Sequence, residues 1–402
     1  MSEWKQCCLA DVTESLDSLR KPVKGSERNL GQYPYYGASG IVDYVDDYLF
    51  DGLYLLVAED GENLKTRKTP IAFLANGKFW VNNHAHVLKE NGKSNIRFLS
   101  YALQVADIHS FLTGSTIPKL TKANLDKIPI YLPNKKEQSV IAEVLGALDD
   151  KIELNRKMNA TLEAMARALF KSWFVDFDPV RAKSEGREPF GMDAETAALF
   201  PSALGDIPDG WSVESVYYIA DIINGAPFKS ELFNQEKRGL PLIRIRDLSS
   251  YSPTFYTDEQ HPKAEQINTG DIVVGMDAEF RAHYWMGETA YLNQRLFVAR
   301  PKHNSKVFVR ESLIPLLAKE ENAQVGTTVA HLGKKDIDKF TVVFPNESIL
   351  QQFAKRSNPL LEKMVTISVE TRRLEHMRDY LLPKLISGEI RIPDAEKMVG
   401  GA

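Results

Sequence analysis

The feature that most constrains the fold of this chain is an internal duplication. The segment 114–133 recurs as 326–345, at the constant offset of 212 residues that separates Gly114 from Gly326. Seven aligned positions are identical, where pairing at average composition would give about one. The identical pairs are Gly114/Gly326, Thr116/Thr328, Leu120/Leu332, Lys122/Lys334, Asp126/Asp338, Lys127/Lys339 and Pro133/Pro345. The chain therefore contains one structural plan twice.

The same offset continues into two segments with the hydrophobic period of a long helix. Seam residues alternate every four and three positions, which is the pattern of a coiled coil. The predicted seam comprises Ile141, Leu145, Leu148, Ile152, Asn155, Leu162 and Leu169 in the first copy, and Phe353, Leu360, Met364, Ile367, Leu374 and Leu381 in the second. We predict that the two helices pack against each other, with the stretches around Leu148 and Leu360 side by side. An ordinary core helix is the alternative for a single seam.

A mixed, turn-rich region with short strand-like runs precedes each helix. We therefore predict an α+β chain in which two globular domains alternate with two long helices. The predicted parts are a first domain over 1–134, a helix over 135–183, a second domain over 184–346, and a helix with a C-terminal tail over 347–402. The segment 181–209, with its Gly, Pro and charges, is the predicted linker between the halves. Asn83 and Asn293 are predicted to be equivalent positions, but elsewhere the domains share little, so we expect one task performed on two targets.

Composition limits the classes of function. Cys7 and Cys8 are the only cysteines; neighbours rarely form a disulfide and cannot complete a four-ligand zinc site, so we expect no metal and a reducing cytoplasm. We expect neither a signal peptide nor a membrane span, since no long apolar run occurs. The net charge of −4 counts against a DNA-binding protein, because phosphate contacts usually dominate affinity for DNA.

Several segments resemble a known family, the specificity subunits of type I restriction–modification enzymes. Residues 137–180, including ALDDKIELNRKMNATLEAMARALFKSWFVDFDPV, resemble the central conserved region of that family. LPKLISGEI at 382–390 resembles the end of the distal conserved region. Residues 35–61 and 78–88 are similar to the first target-recognition domain of many members. The resemblance covers essentially the whole chain, in the order recognition domain, helix, recognition domain, helix.

This resemblance implies a function and a set of partners. Each target-recognition domain recognises one half of a split, asymmetric sequence in double-stranded DNA. The two helices pack as an antiparallel coiled coil with pseudo-two-fold symmetry and set the gap between the halves. Two modification subunits dock on the helices and methylate adenine with S-adenosylmethionine, and ATP-driven restriction subunits can join them.

The chain itself is expected to be non-catalytic and to bind no cofactor. It has neither the FxGxG stretch nor the Asn/Asp-Pro-Pro-Tyr/Phe tetrapeptide of an adenine methyltransferase. It also lacks the GxxxxGK[ST] phosphate loop that would bind ATP. A coiled-coil adaptor that joins two proteins without recognising DNA is the alternative, and the acidic net charge favours it.

Candidate DNA contacts are polar residues on loops, because base edges are recognised by hydrogen-bond donors and acceptors. In the first domain the candidates are Tyr36, Gly37, Ser39, Asn82, Asn83, His84 and His86. The alternatives are a tight turn for the first three and structural hydrogen bonds for the rest; a metal site at His84 and His86 has little support, because HxH alone is a frequent accident. In the second domain the candidates are Arg244, Arg246, Asn293, Gln294 and Arg295. Arg246 or Arg295 is the favoured guanine contact, with surface ion pairing as the alternative.

Two further groups of residues are candidates for other roles. Polar residues of the duplicated segment are predicted to contact phosphates, with a packing turn as the alternative; they are Ser115, Lys119, Lys122, Thr327, Lys334 and Lys335. Asn155 and Asn159 in the seam are predicted to fix the register of the helices. The aromatic residues Trp173, Phe174 and Phe177 are predicted either to dock a partner or to complete the local core.

Overall fold

The computed structural model describes residues 4–324 and 330–392. The chain divides into two compact units. Unit 1 comprises Met1–Ile152 and Arg373–Ala402, and unit 2 comprises Glu153–Arg372. Two 40-residue helices, Lys135–Phe174 and Glu347–Ile386, each contribute one part to unit 1 and the other part to unit 2. Each unit therefore contains a globular domain together with segments of both helices.

The domain of unit 1 is built on one large sheet. Its strands are β1 (Lys5–Cys8), β2 (Thr13–Ser15), β3 (Leu30–Gly37), β4 (Gly40–Val45), β5 (Phe50–Ala58), β6 (Ala72–Val81), β7 (Ala85–Glu90) and β8 (Pro129–Leu132). Six of them form a sheet in the order β2-β7-β5-β6-β3-β4, and β1 pairs with β8. β5 and β6, rich in aromatic and aliphatic residues, pair antiparallel over their length, whereas β3 runs parallel to β6. The ends of β3 and β6 therefore lie at the same edge of the sheet.

Short helices precede the first long helix, and the longest of them packs against this sheet. They are α1 (Leu9–Val12), α2 (Asn63–Thr66), α3 (Ile96–Val105) and α4 (Lys122–Leu125), followed by the long helix α5 (Lys135–Phe174). The side chain of Asn95 caps α3 by accepting hydrogen bonds from two backbone N–H groups of its first turn. Single 3₁₀ turns lie at Asp17–Leu19, Gly25–Glu27 and His109–Phe111.

The domain of unit 2 repeats this plan with shorter strands. They are β9 (Ser212–Ser215), β10 (Ala220–Asn224), β11 (Leu240–Ile243), β12 (Phe255–Thr257), β13 (Gln266–Ile267), β14 (Ile272–Gly275), β15 (Ala282–Tyr284), β16 (Ala290–Leu292), β17 (Leu296–Pro301) and β18 (Thr341–Phe344). The helices are α6 (Asp178–Ser184), α7 (Ala194–Leu199), α8 (Val216–Ile219), α9 (Lys306–Ala323), α10 (Lys334–Ile337) and α11 (Glu347–Ile386), with 3₁₀ turns at Ser230–Leu232 and Ile245–Asp247.

The strand order confirms the duplication. In unit 2 the sheets run β10-β17-β14-β15 and β12-β11-β16-β13, and β9 pairs with β18. The single strand β6 of unit 1 corresponds to β15 and β16 together, which residues 285–289 separate. That interruption divides the equivalent of the six-stranded sheet in two, and the additional strand β13, which pairs with β16, completes two four-stranded sheets. β11 still runs parallel to β16 as β3 runs parallel to β6.

The two long helices run antiparallel within each unit, as predicted. In unit 1 the carboxylate of Asp149 on α5 pairs with Arg378 on α11 at 3.0 Å. In unit 2 Asn155 Nδ2 donates to Glu370 at 2.9 Å. The side-chain amide of Asn159 donates to Ser368 Oγ, also at 2.9 Å. Residues nearer the C-terminus of α5 contact residues nearer the N-terminus of α11. This order of contacts shows that the two helices are antiparallel.

Seam residues lie in the core of both units. Ile141, Leu145, Leu148 and Leu381 are buried in the core of unit 1, and Leu374 is half-buried there. In unit 2 Phe353 and Met364 are buried in the core and Leu162, Leu169 and Leu360 pack against it. Ile152, Asn155 and Ile367 are also buried. The expectation that Leu148 and Leu360 lie side by side is wrong, because the partner of a residue in an antiparallel pair is not its duplicated equivalent.

The second long helix continues to Ile386, with Pro383 in its last turn. One further expectation needs correction. The predicted linker 181–209 is a packed part of unit 2, since it contains α7 and the buried Phe200, whose ring meets Trp173 edge-on at 5.1 Å between centroids. Asp193 caps α7 and forms an ion pair with Arg356 at 2.6 Å.

A polar contact ties each globular domain to α5. In unit 1 the hydroxyl of the buried Tyr101 on α3 donates to Asp149 at 2.7 Å. In unit 2 the guanidinium of Arg310 on α9 pairs with Glu163 at 2.6 Å and with Glu311 at 2.7 Å. Its Nε also donates to the carbonyl of Ala282 at 3.0 Å. These contacts fix the domain helices α3 and α9 against the long helix.

Candidate nucleic-acid interface

In unit 1 the candidate residues of two separate sequence stretches meet at one edge of the sheet. The backbone N–H of Asn82, after β6, donates to the carbonyl of Tyr36 on β3 at 3.0 Å. A Cβ added at Gly37 would lie 3.3 Å from Asn82 Nδ2, so this close approach favours glycine there. Burial raises the pKa of Tyr36, which keeps its hydroxyl neutral. Ser39 and Asn83 are exposed at the same edge.

The carboxylate of Asp60 lies at this edge of the sheet and contacts the loop after β6. Asn82 is buried and its Oδ1 accepts from the N–H of His84 at 2.8 Å, which fixes the loop after β6. The ring Nδ1 of the exposed His84 lies 2.8 Å from the carboxylate of Asp60. Lys119, which forms an isolated β-bridge with Asp60, places its Nζ 3.2 Å from Glu59. Asp60 and Glu59 were not predicted from the sequence, because their neighbours are distant along the chain.

The structure contradicts the prediction for His86. This ring is 1% exposed, with one nitrogen 2.5 Å from Asp17 and the other 2.8 Å from the carbonyl of Leu120. Burial alone would raise the pKa of Asp17, but the hydrogen bond and charge of His86 lower it. His86 therefore stabilises the interior of the domain and cannot reach DNA. The adjacent histidines also face different partners, so they do not converge as a pair of metal ligands.

Unit 2 assembles its candidate residues at the corresponding edge. The N–H of Asn293 donates to the carbonyl of Ile243 at 3.2 Å, and Asn293 Oδ1 accepts from the N–H of Arg295 at 3.4 Å. These bonds make Asn293 equivalent to Asn82, not to Asn83 as the sequence suggested. The guanidinium of Arg295 lies 3.4 Å from the carboxylate of Asp277.

His331 is a further member of the second edge that sequence reasoning missed. Its Nδ1 lies 2.6 Å from Asp277, and the two residues form an isolated β-bridge. A signal was present, since His331 occupies in the duplicated segment the position of Lys119.

The arginines that follow β11 differ in their surroundings. Arg244 is mostly buried, pairs with Asp247 at 3.4 Å and stacks over Phe255 at 4.4 Å. Arg246 is exposed, and no ion pair joins it to another residue within 4–324 or 330–392. Gln294 is exposed beside Arg295. Arg246 is thus better placed than Arg244 to contact DNA.

The duplicated segment combines exposure with a packing turn. Lys122 and Lys334 begin equivalent helices and pair with Asp126 at 2.5 Å and Asp338 at 2.9 Å, four residues on. Ser115, Lys119 and Lys335 are exposed, and Thr327 lies outside the described residues. Gly114 has φ +87°, and a Cβ there would lie 2.2 Å from the carbonyl oxygen of Ile117. The packing turn is therefore present, and the phosphate contact stays a prediction.

The aromatic group at the end of α5 belongs to the interior of unit 2. Trp173 and Phe174 are buried and Phe177 is half-buried. Phe174 packs edge-on against Phe353 and Phe308, with centroids 4.9 and 5.0 Å apart. The structure therefore favours a core role over partner docking, because neither buried ring presents a free face.

Two searches of the described part of the chain are negative. Within residues 4–324 and 330–392, no group of three or more His, Cys, Asp and Glu side chains is arranged to hold a metal ion. No helix in these ranges has both the length and the apolar character required to cross a bilayer.

Known proteins share this plan. Residues 1–164 and 208–370 match the family model of the type I restriction modification DNA specificity domain. The type I restriction enzyme HindI specificity subunit of Haemophilus influenzae is 28% identical over 97% of this chain and 100% of its own length. The MjaIX specificity subunit of Methanocaldococcus jannaschii is 26% identical over 98% of this chain and 94% of its own. The crystal structure of an S subunit from M. genitalium superposes with a TM-score of 0.60 at 17% identity, covering 95% of this chain and 96% of that one.

Proposed function

The chain belongs to the type I restriction modification DNA specificity family, and from this premise we propose that it is the sequence-specific DNA-recognition subunit of a type I restriction–modification complex. Each globular domain recognises one half of a bipartite, asymmetric DNA site. The observation that carries the proposal is the pair of equivalent loop edges, built on the same backbone hydrogen bonds but presenting different exposed side chains. His84 and Asn83 stand at the first edge, and Arg295 and Gln294 at the second.

The partners follow from the same proposal. The paired helices set the gap between the half-sites and dock two modification subunits, which carry S-adenosylmethionine and methylate adenine. Restriction subunits, where present, bind the ATP. The chain itself supplies recognition and no catalysis, and its free Cys7 and Cys8 are consistent with a reducing cytoplasm. A coiled-coil adaptor without DNA recognition is disfavoured, because both globular domains match a DNA specificity domain.

Exchange of one domain tests the division of labour. Replacing residues 184–346 with the corresponding domain of another family member is expected to change one half of the methylated sequence and to preserve the other half and the gap. Methylome sequencing of cells that carry the chimaera with its modification subunits measures this directly. The matched control exchanges residues 1–134 and is expected to change the opposite half. Alteration of both halves by a single exchange would contradict the proposal.

Loss of one exposed arginine should affect one base pair. Arg246→Ala is expected to reduce discrimination at one position of the second half-site by about 1–3 kcal/mol, or roughly 5- to 150-fold, because arginine pairs with two acceptors of guanine. Competition binding of the complex with the modification subunits, using duplexes substituted at each position, measures the effect. Arg238→Ala is the control, since Arg238 is an exposed arginine that precedes β11 and pairs with Glu236. Equal behaviour of the two variants would exclude Arg246 as a base contact.

A further inference from the structure

The two domains hold a carboxylate at the same place, flanked by cations that differ. In unit 1 Ala58 on β5 pairs with Ala85 on β7, and in unit 2 Gly275 on β14 pairs with Leu296 on β17. Asp60 and Asp277 lie two residues beyond β5 and β14. His84 and Arg295 lie one residue before β7 and β17. We call Asp60, His84 and Lys119 the first cluster, and Asp277, Arg295 and His331 the second cluster.

Backbone hydrogen bonds establish that the clusters are equivalent. The carbonyl of His84 accepts from the N–H of Glu59 at 2.9 Å, and that of Arg295 accepts from the N–H of Met276 at 3.0 Å. The carbonyl of Glu59 accepts from Leu120 and that of Met276 from Leu332, both at 2.7 Å. The β-bridges of Asp60 with Lys119 and of Asp277 with His331 complete the correspondence. The backbone at the two edges is therefore the same.

Comparison of the clusters separates constant from variable positions. Asp60 and Asp277 are constant and largely covered, with side chains 28% and 23% exposed. The variable basic side chains are about half exposed: His84 52%, Lys119 48%, Arg295 55% and His331 47%. A covered acid can orient an exposed donor without contacting DNA itself. Basic side chains that differ between two otherwise equal backbone arrangements are what two domains with different targets require.

We infer that Asp60 and Asp277 are positioning residues that aim variable basic side chains at the DNA, His84 in the first cluster and Arg295 with His331 in the second, and that these side chains determine the base preference of each half-site. The Lys119 side chain of the first cluster pairs with the neighbouring Glu59 instead. The inference rests on the proposed function and adds the residues that specify it. The carboxylate also opposes DNA phosphate, since it places a negative charge beside the duplex. It therefore restrains binding to wrong sequences while it orients the donor for the correct base.

The test uses the complex of the full chain with its modification subunits, carrying Asp60→Asn or Asp277→Asn. We expect each variant to lose at least tenfold in discrimination at one or two base pairs of its own half-site, because the amide no longer fixes the basic side chain that the carboxylate holds. We also expect tighter binding to unrelated duplex DNA, because one negative charge is gone. A purely structural defect would weaken both kinds of binding, so the rise in nonspecific affinity distinguishes positioning from folding.

Matched controls are present in the duplicated segment. Asp126→Asn and Asp338→Asn remove equivalent carboxylates that pair with lysines outside the clusters, and they should leave discrimination unchanged. Direct removal of the basic side chains by His84→Ala and Arg295→Ala should reproduce the loss at the same base pairs.

Several outcomes would overturn the inference. Unchanged discrimination in both aspartate variants would do so, as would weaker binding spread evenly over all sequences, which indicates phosphate contacts only. If the unmodified complex itself fails to distinguish the methylated sequence from unrelated DNA, the proposed function fails instead. Competition binding with singly substituted duplexes, at fixed salt, distinguishes these cases.

Discussion

Replacement of Arg310 with methionine is expected to lower the free energy of unfolding of unit 2 by about 3–5 kcal/mol, the usual loss when one partner of a buried ion pair is removed. Arg310 is 7% exposed and Glu311 is 5% exposed. The guanidinium also lies 4.5 Å above the ring of Tyr284. Burial alone would lower the pKa of Arg310, but Tyr284 and the two glutamates raise it. The variant therefore leaves the buried carboxylate of Glu311 with the exposed Arg167, 3.6 Å away, as its remaining cationic partner.

The loss of unfolding free energy in Arg310→Met should depend on pH in a defined direction. Burial raises the pKa of Glu311, and Arg310 at present lowers it in part. A carboxyl whose pKa is raised by folding destabilises the folded state at pH values above that raised pKa, because there it must ionise while buried. This destabilisation disappears as the pH falls below the pKa that the carboxyl has in the unfolded chain. The difference between Arg310→Met and the unmodified chain should therefore shrink between pH 7 and pH 4. Thermal unfolding of the whole chain measures it, with about 2–4 °C expected per kcal/mol for a domain of this size.

Two variants control the experiment. Adding Glu311→Gln to Arg310→Met removes the poorly compensated buried charge and should recover much of the loss. Arg281→Met is the surface counterpart, because Arg281 is half exposed in its pair with Glu321, and exposed pairs contribute about 0–1 kcal/mol. An Arg310 variant that unfolds within 1 kcal/mol of the unmodified chain would exclude the buried network as a major source of stability.

Matched insertions of seven residues in both long helices are expected to lengthen the gap between the two half-sites of the DNA. The insertion points are after Leu148 in α5 and after Arg378 in α11, because the contact of Asp149 with Arg378 places these points opposite each other. A heptad preserves the seam and extends the pair by about 10 Å, or about three base pairs at 3.4 Å each. Affinity for the original site should fall by about 10³-fold or more, towards nonspecific binding.

A series of duplexes with gaps from zero to ten added base pairs measures the new optimum. Both half-sites should remain unchanged, because the globular domains are untouched. The control places the insertion in α5 alone, which shifts one seam against the other and should lower stability without producing a new optimum. An unchanged gap in the matched variant would reject the helices as the element that sets the spacing.

The sequence alone predicted the helices and the duplication because both depend on long-range repetition of local patterns. A seam that recurs over 40 residues, in two copies, is a strong signal for paired helices. It could not fix which seam residues touch. Leu148 and Leu360 are equivalent by duplication, but antiparallel packing places them in the cores of different units.

The recognition edges were only partly predictable, because strand pairing decides which loops meet. Asp60 and His84 are 24 residues apart and meet only because β5 and β7 pair antiparallel. His86 looked equivalent to His84 in sequence, yet His86 lies inside β7, whose first four residues are all buried, whereas His84 lies in the loop before that strand. Polar residues in a loop therefore indicated the region of the candidate interface, but they could not show that a residue such as His86 is buried and takes no part in it.

The polar ties between the globular domains and α5 have a mechanical consequence. Tyr101 binds Asp149 in unit 1, and Arg310 binds Glu163 in unit 2. Each of these contacts joins a helix of a globular domain to α5. Torque that bent or twisted DNA applies to a domain is therefore transmitted to α5 instead of being absorbed at a hinge. A protein bound along α5 would then respond to whether the correct DNA sequence is bound.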